Sequence, residues 1–158
     1  MFPVVVAAVV GALVGALRRP HGAHLRTPVL AYPAVAVGGA LLHAGLGLVA
    51  PDLQGSALGV SLAMLTGFSA VNRHLPGMGV LTIGLALNMS VVLANGAMPV
   101  RASALVDAGV TTAEGLADTD PGAGRRLARD DDLIGFLGDI IPVEAFEAAM
   151  SFGDLIAL

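Results

Sequence analysis

Four apolar runs crowd into the first 94 residues of this chain, at 2–17, 28–50, 56–71 and 78–94, and through residue 100 the only charges are Arg18, Arg19, Arg26, Asp52 and Arg73. A domain folded in water covers itself with polar groups, and ~25% charged residues is the ordinary share. Here 13% of residues are charged and 56% hydrophobic, with a mean hydropathy of +0.83. Lipid is therefore expected around the N-terminal part. At ~1.5 Å per residue, helices of these lengths extend about 24 to 34 Å, the scale of a bilayer's hydrocarbon core.

The expected fold is all-α: an integral membrane bundle of four transmembrane helices in residues 1–94, followed by a polar, partly irregular extracytoplasmic segment in 95–158 with short amphipathic elements. Orientation follows from the loops. Those after the first and third runs hold Arg18, Arg19, Arg26 and Arg73 without an acidic residue, whereas all twelve acidic residues lie in the other loop or the tail. The excess of Arg at cytoplasmic span ends places those two loops inside and both termini outside. Positive charge follows the first apolar run instead of preceding it, which reads as a span and its anchor, not a cleaved leader.

Small residues recur every fourth position at Ala7, Gly11 and Gly15, and at Gly55, Gly59, Ala63 and Gly67. Such stripes let helix backbones approach closely, and packing within the chain is the expected use, with a dimer surface as the alternative. In the tail, Asp118 through Asp132 reads as an exposed loop. Phe146, Ala149, Met150, Phe152 and Ile156 are spaced to form one face of an interfacial helix.

The absence of Cys removes disulfides, thiolate metal sites and cysteine nucleophiles. A net charge of -4 without a basic patch argues against nucleic acid as a partner. His21 and His24, with His74 on the same expected side, have a spacing that permits a metal, but no Cys or acidic ligand accompanies them, so no metal or other cofactor is expected. Asp130, Asp131 and Asp132 lack the alternating pattern of a calcium loop.

The polar residues set among apolar ones are the candidates for function. Asn88 and Asn95 stand seven residues apart, on one face if the helix continues that far, with Ser90 away from it. A buried amide needs a partner, and interhelical hydrogen bonding is the first expectation. Asn95-Gly96 with Pro99 also marks a helix stop. His43 is the one ionisable side chain within a run and ranks behind the asparagines, since a proton relay needs further partners. Asp139 and Asp154 each follow a glycine among apolar residues, where a carboxylate requires a specific donor such as an Arg or a helix N-terminus.

These residues, the Asn72-Arg73-His74-Leu75-Pro76-Gly77 loop, Asn88, Asn95-Gly96-Ala97-Met98-Pro99-Val100, and the Phe136-Leu137-Gly138-Asp139-Ile140-Ile141-Pro142 and Ser151-Phe152-Gly153-Asp154 motifs, stand in an order that resembles an uncharacterised bacterial membrane family, domain of unknown function 5317. The resemblance runs from the basic loop onward. It implies a multi-pass protein and no assigned reaction, and it directs attention to Arg73, Asn88, Asn95, Asp139 and Asp154. It also implies that the second Gly-Asp motif opens a final hydrophobic helix. The chain stops at Leu158, four residues past Asp154, an ending that either truncation before that fifth helix or a shortened natural protein would give.

No nucleophile elbow, phosphate-binding loop, dinucleotide fingerprint or zinc-protease helix occurs, and no catalytic residue is assigned. The leading expectation is a bacterial inner-membrane protein with an interaction or accessory role, partnered by the lipid bilayer and by another membrane protein or further copies of itself. The alternatives are a transporter or channel component working past His43 and Asn88, and a lipid-modifying enzyme using Asp139 or Asp154.

Overall fold

The computed structural model describes residues 30–158. The first apolar run, its small-residue stripe at Ala7, Gly11 and Gly15, and the basic loop with Arg18, Arg19, His21, His24 and Arg26 lie outside them. Within them the chain is mostly helical. Helix α1 (Pro33–Val49) passes through a 3-10 turn (Pro51–Leu53) into α2 (Gln54–Val71), and a tight turn leads to α3 (Met78–Asn95). Gly77 takes the left-handed conformation that this turn demands, at φ 83°. Asn72, fully buried at the end of α2, binds the backbone of Ala31 in both directions. Its amide nitrogen donates to the Ala31 carbonyl at 3.0 Å and its oxygen accepts from the Ala31 amide at 2.8 Å.

The strands of the tail correct the all-α expectation, and of the four expected spans the first lies outside the described residues. Among the described residues, two helices, α2 and α3, are long and apolar enough to cross a membrane, with mean hydropathies of 1.2 and 1.7, while α1 is apolar but shorter. The tail, moreover, contains strands. β1 (Met98–Val100) pairs in parallel with β2 (Arg125–Leu127), and β3 (Ile141–Val143) pairs antiparallel with β4 (Ala148–Met150). Between them lie a short helix α4 (Ala102–Asp107) and irregular chain, and a last helix α5 (Phe152–Ala157) follows β4. The expected amphipathic helix around Phe146 to Ile156 is thus a strand followed by one short helix. Ser151 divides them: its extended backbone and side chain cap α5.

Two clusters hold the elements together. Leu62, Val91, Val92 and Met98 join α2, α3 and β1, with Leu58, Leu85, Met89 and Leu137 against them. Val100, Ala104, Leu105 and Ala149 form the core of the cap built by residues 98–150. β1 links the two, since Met98 belongs to one cluster and Val100 to the other. Of the stripe on α2, Gly55 and Gly59 pack on Gly96, Val92 and Leu93, whereas Ala63 and Gly67 open onto an apolar cavity of about 180 Å³ shared with Tyr32, Val35 and Phe68. Close packing within the described residues therefore uses only half of that stripe.

Candidate functional site

The two Gly-Asp motifs form two polar junctions of the same design, in which the glycine admits a backbone and the aspartate takes a chosen partner. At the first, α5 lies along the middle of α3. A Cβ on Gly153 would overlap the Asn88 side chain and stand 2.5 Å from the Gly84 carbonyl, and one on Gly84 would stand 2.5 Å from the Gly153 carbonyl. Only glycine at both positions permits this approach.

Around that contact the polar groups close a ring. The Ser151 hydroxyl donates to Asn88 Oδ1 at 2.8 Å, Asn88 Nδ2 donates to Asp154 Oδ1 at 2.8 Å, and Asp154 Oδ2 accepts from the Ser151 amide at 3.1 Å. Ser151 Oγ in turn accepts from the Asp154 amide at 3.0 Å, completing a capping box at the start of α5. A carboxylate only accepts, so Asn88 must turn its nitrogen to Asp154 and its oxygen to the Ser151 hydroxyl, which fixes the amide's orientation. Ser151 is fully buried and Asn88 nearly so. The ring commits the serine hydroxyl's proton to the Asn88 oxygen and not to the neighbouring Asp154 carboxylate, which accepts from amides, so in this arrangement the hydroxyl acts as a fastener.

At the second junction Asp139 is fully buried beside β1. The Asp139 amide donates to the Pro99 carbonyl at 2.9 Å and its carbonyl accepts from the Arg101 amide at 3.0 Å, while Met98 and Val100 bond toward β2 on the other side. Pro99 has no N–H to offer, and it occupies the one β1 position whose N–H would point at the Asp139 segment. Gly138 makes room, since a Cβ there would lie 2.5 Å from the Pro99 carbonyl.

The Asp139 carboxyl receives Arg125 Nε at 2.7 Å on Oδ2, and its Oδ1 has no partner among the described residues. Burial pushes its pKa from 3.8 up to about 7; the Arg125 guanidinium opposes the rise and the charge of Asp154 adds to it.

Arg125 also lines a polar cavity of about 300 Å³ at the end of the α2–α3 hairpin, with Asp52, Gln54, Gly55, Ser56, Gly96, Ala97, Asp120 and Gly124. Beside it, Asn95 holds the backbone of Leu133 in both directions at 2.8 Å, as Asn72 holds Ala31. Gly96 caps α3 at φ 74° in the left-handed form that the Asn95-Gly96 pair implies. Arg126 grips Asp132 with both Nη atoms, and this hydrogen bonding holds the Asp132 carboxyl below its ordinary range. Asp132 is therefore tied down within the stretch read as an exposed loop, whereas Asp130 and Asp131 are exposed.

Of the candidate residues, the structure brings Asn88 and Asp154 into one junction and places Asp139 and Asn95 in the cap or at its edge. Arg73 and His74 are exposed in the α2–α3 turn at the opposite end of the hairpin. His43 stands on α1, with its Nδ1 buried and unpartnered among the described residues. Sequence reasoning missed Ser151, Asn72 and Arg125 as site residues. Ser151 was legible as the start of a Ser-x-x-Asp capping signature, whereas nothing local distinguishes Arg125 from Arg126 as the partner of Asp139.

No curated protein and no solved structure matches the chain. One family does match, over residues 23–158, a span that holds the α2–α3 turn, Asn88, Asn95 and both Gly-Asp junctions. By that match, over most of its length, the chain belongs to the family described as "Family of unknown function (DUF5317)".

Proposed function

We propose that this is a multi-pass protein of the bacterial inner membrane with an interaction or accessory role. In this reading the α2–α3 hairpin lies in lipid, residues 98–150 form a fixed cap on its outer end, and α5 packs along the middle of α3. One observation carries the membrane part: only 28% and 22% of the apolar windows of α2 and α3 are buried. Side chains such as Val60, Ile83 and Leu93 stand more than half exposed along both helices. In water such faces would be an aggregation surface, whereas in a bilayer they have their natural solvent.

The accessory role is supported by how the polar residues are used. Asn72, Asn88, Asn95, Asp132 and Asp154 are spent on holding segments of the chain together, which suits a rigid platform. A transport component would instead need Asn88 to face water.

Single cysteines test both points in a chain without native Cys. With intact cells and an impermeant maleimide, Ser56→Cys and Ala123→Cys are expected to label, His74→Cys to label only after lysis, and Asn88→Cys to stay unlabelled. Release of the protein from membranes by alkaline carbonate would overturn the membrane reading. The reversed labelling pattern would move the cap to the cytoplasm, and labelling at Asn88→Cys would favour the transport alternative.

A further inference from the structure

The polar cavity at the end of the hairpin carries charges of both signs. Arg125 is 34% exposed and spends its Nε on Asp139, while its two Nη atoms have no partner among the described residues. Four N–H donors of a planar, permanently charged group are thus available where the cavity opens. Asp52 and Asp120 are exposed carboxylates on the same cavity. Asp120 gives one oxygen to the Gly122 amide at 2.9 Å, and Asp52 has no partner among the described residues.

The walls are held by backbone contacts. A Cβ on Gly55 would overlap the Gly96 carbonyl, and one on Gly124 would come within 2.7 Å of the Gln54 carbonyl. A volume of about 300 Å³ sits at the lower end of small-molecule sites, which run from ~300 to 1,000 Å³.

The charge pattern selects the occupant. A simple anion would meet Arg125 but also two carboxylates, and a simple cation would meet the reverse. A molecule with both an anionic oxyacid and an ammonium satisfies all three groups, and phosphate matches a guanidinium in geometry. The cavity also lies where α2 begins and α3 ends, which is headgroup depth if the hairpin spans a bilayer.

We propose that this cavity binds a phosphoethanolamine zwitterion, with the phosphate on Arg125 and the ammonium between Asp52 and Asp120. The membrane reading above enters only in the source of that zwitterion, a phospholipid headgroup or a free phosphodiester; the chemistry of recognition is common to both.

The test is titration calorimetry on the full chain, purified in a maltoside detergent and stripped of lipid. The probes are glycerophosphoethanolamine, short-chain phosphatidylethanolamine, glycerophosphoglycerol, inorganic phosphate and ethanolamine. Both ethanolamine phosphodiesters are expected to bind at least tenfold more tightly than the other three. Arg125→Gln is expected to weaken them at least tenfold, and Asp52→Asn with Asp120→Asn about three- to tenfold.

The two aspartates are exposed, so that double variant should keep its fold even if Arg125→Gln, which strips Asp139 of its partner, does not. Preference for the short-chain lipid over glycerophosphoethanolamine identifies a headgroup source, and equal binding identifies a soluble one; either supports the proposal. Equal binding of inorganic phosphate or glycerophosphoglycerol, no binding of either ethanolamine phosphodiester, or unchanged binding by the double aspartate variant overturns it. Because the protein is already in detergent, these results do not depend on the labelling that tests the membrane reading.

Discussion

Replacing Asn88 with Ala opens the ring between α3 and α5 at one point. Two hydrogen bonds of 2.8 Å disappear, one from the Ser151 hydroxyl and one to the Asp154 carboxylate. Ser151, fully buried, keeps a hydroxyl without an acceptor, and Asp154 keeps one oxygen without its donor. An unsatisfied buried polar group costs about 1–3 kcal/mol, and interhelical bonds in bilayers average nearer ~0.6 kcal/mol. With two groups stranded, the expected loss is about 2–4 kcal/mol.

A double-mutant cycle locates the loss. Ser151→Ala alone removes the cap and should cost about 1–2 kcal/mol. Because both residues act through the same ring, the double variant should fall short of the sum of the single losses by about 1 kcal/mol. The assay is equilibrium unfolding of the purified protein in mixed micelles, titrated with SDS and followed by circular dichroism. Maleimide reactivity of Ala157→Cys reports separately on detachment of α5. A loss under ~0.5 kcal/mol for Asn88→Ala, or additivity within ~0.3 kcal/mol, would refute the argument that the ring acts as a unit.

Asp139 should leave a signature in pH. Its folded pKa of about 7 exceeds the ordinary 3.8, so the native state binds this proton more tightly than the unfolded chain. The stabilisation is complete below pH 3.8 and is lost as pH rises to about 7, a change of up to about 4 kcal/mol. Asp139→Asn should flatten that slope in unfolding midpoints measured from pH 4.5 to 8, and a slope unchanged by the substitution would count against the assignment. Gly153→Ala drives a methyl into Asn88 and the Gly84 carbonyl, and should cost about 1–3 kcal/mol in the same titration. Gly79→Ala, where a Cβ meets nothing within 4 Å, is the control; it should be neutral or stabilising by up to ~1 kcal/mol.

The helices were legible because long apolar runs bounded by turn residues leave few alternatives. The runs at 56–71 and 78–94 became Gln54–Val71 and Met78–Asn95, and the stop at Asn95-Gly96 falls where its chemistry requires. The strands were not. Each spans three residues, too few for an alternating pattern to show, and β1 finds β2 across a long stretch of irregular chain. The need of Asp139 for a specific donor, an Arg or a helix N-terminus, followed from its apolar setting, but the choice of Arg125 depends on the register Met98↔Arg125, which is a tertiary fact. The expected interfacial helix failed for a reason present in the sequence: Ser151 and Asp154 prefer to begin a helix, and they do so within the stretch assigned to one. Asn72, named only as part of the loop motif, received no role because its partner is the backbone of Ala31, and a backbone partner leaves no trace in residue types.

The ring that joins α3 to α5 also sets an order in time. Asn88 leaves the ribosome 63 residues before Ser151, an interval of about 3 to 13 s at ~5–20 residues per second. Throughout it the amide on α3 has neither of its eventual partners, and the two glycine surfaces that will meet are open. The newborn hairpin therefore waits with the Asn88 amide unpaired midway along α3, and whatever surrounds it in those seconds must supply a substitute hydrogen bond. Release of the substitute then goes with the docking of α5 on α3, and Asn88 is the position at which an intermediate stalled before that docking would be caught.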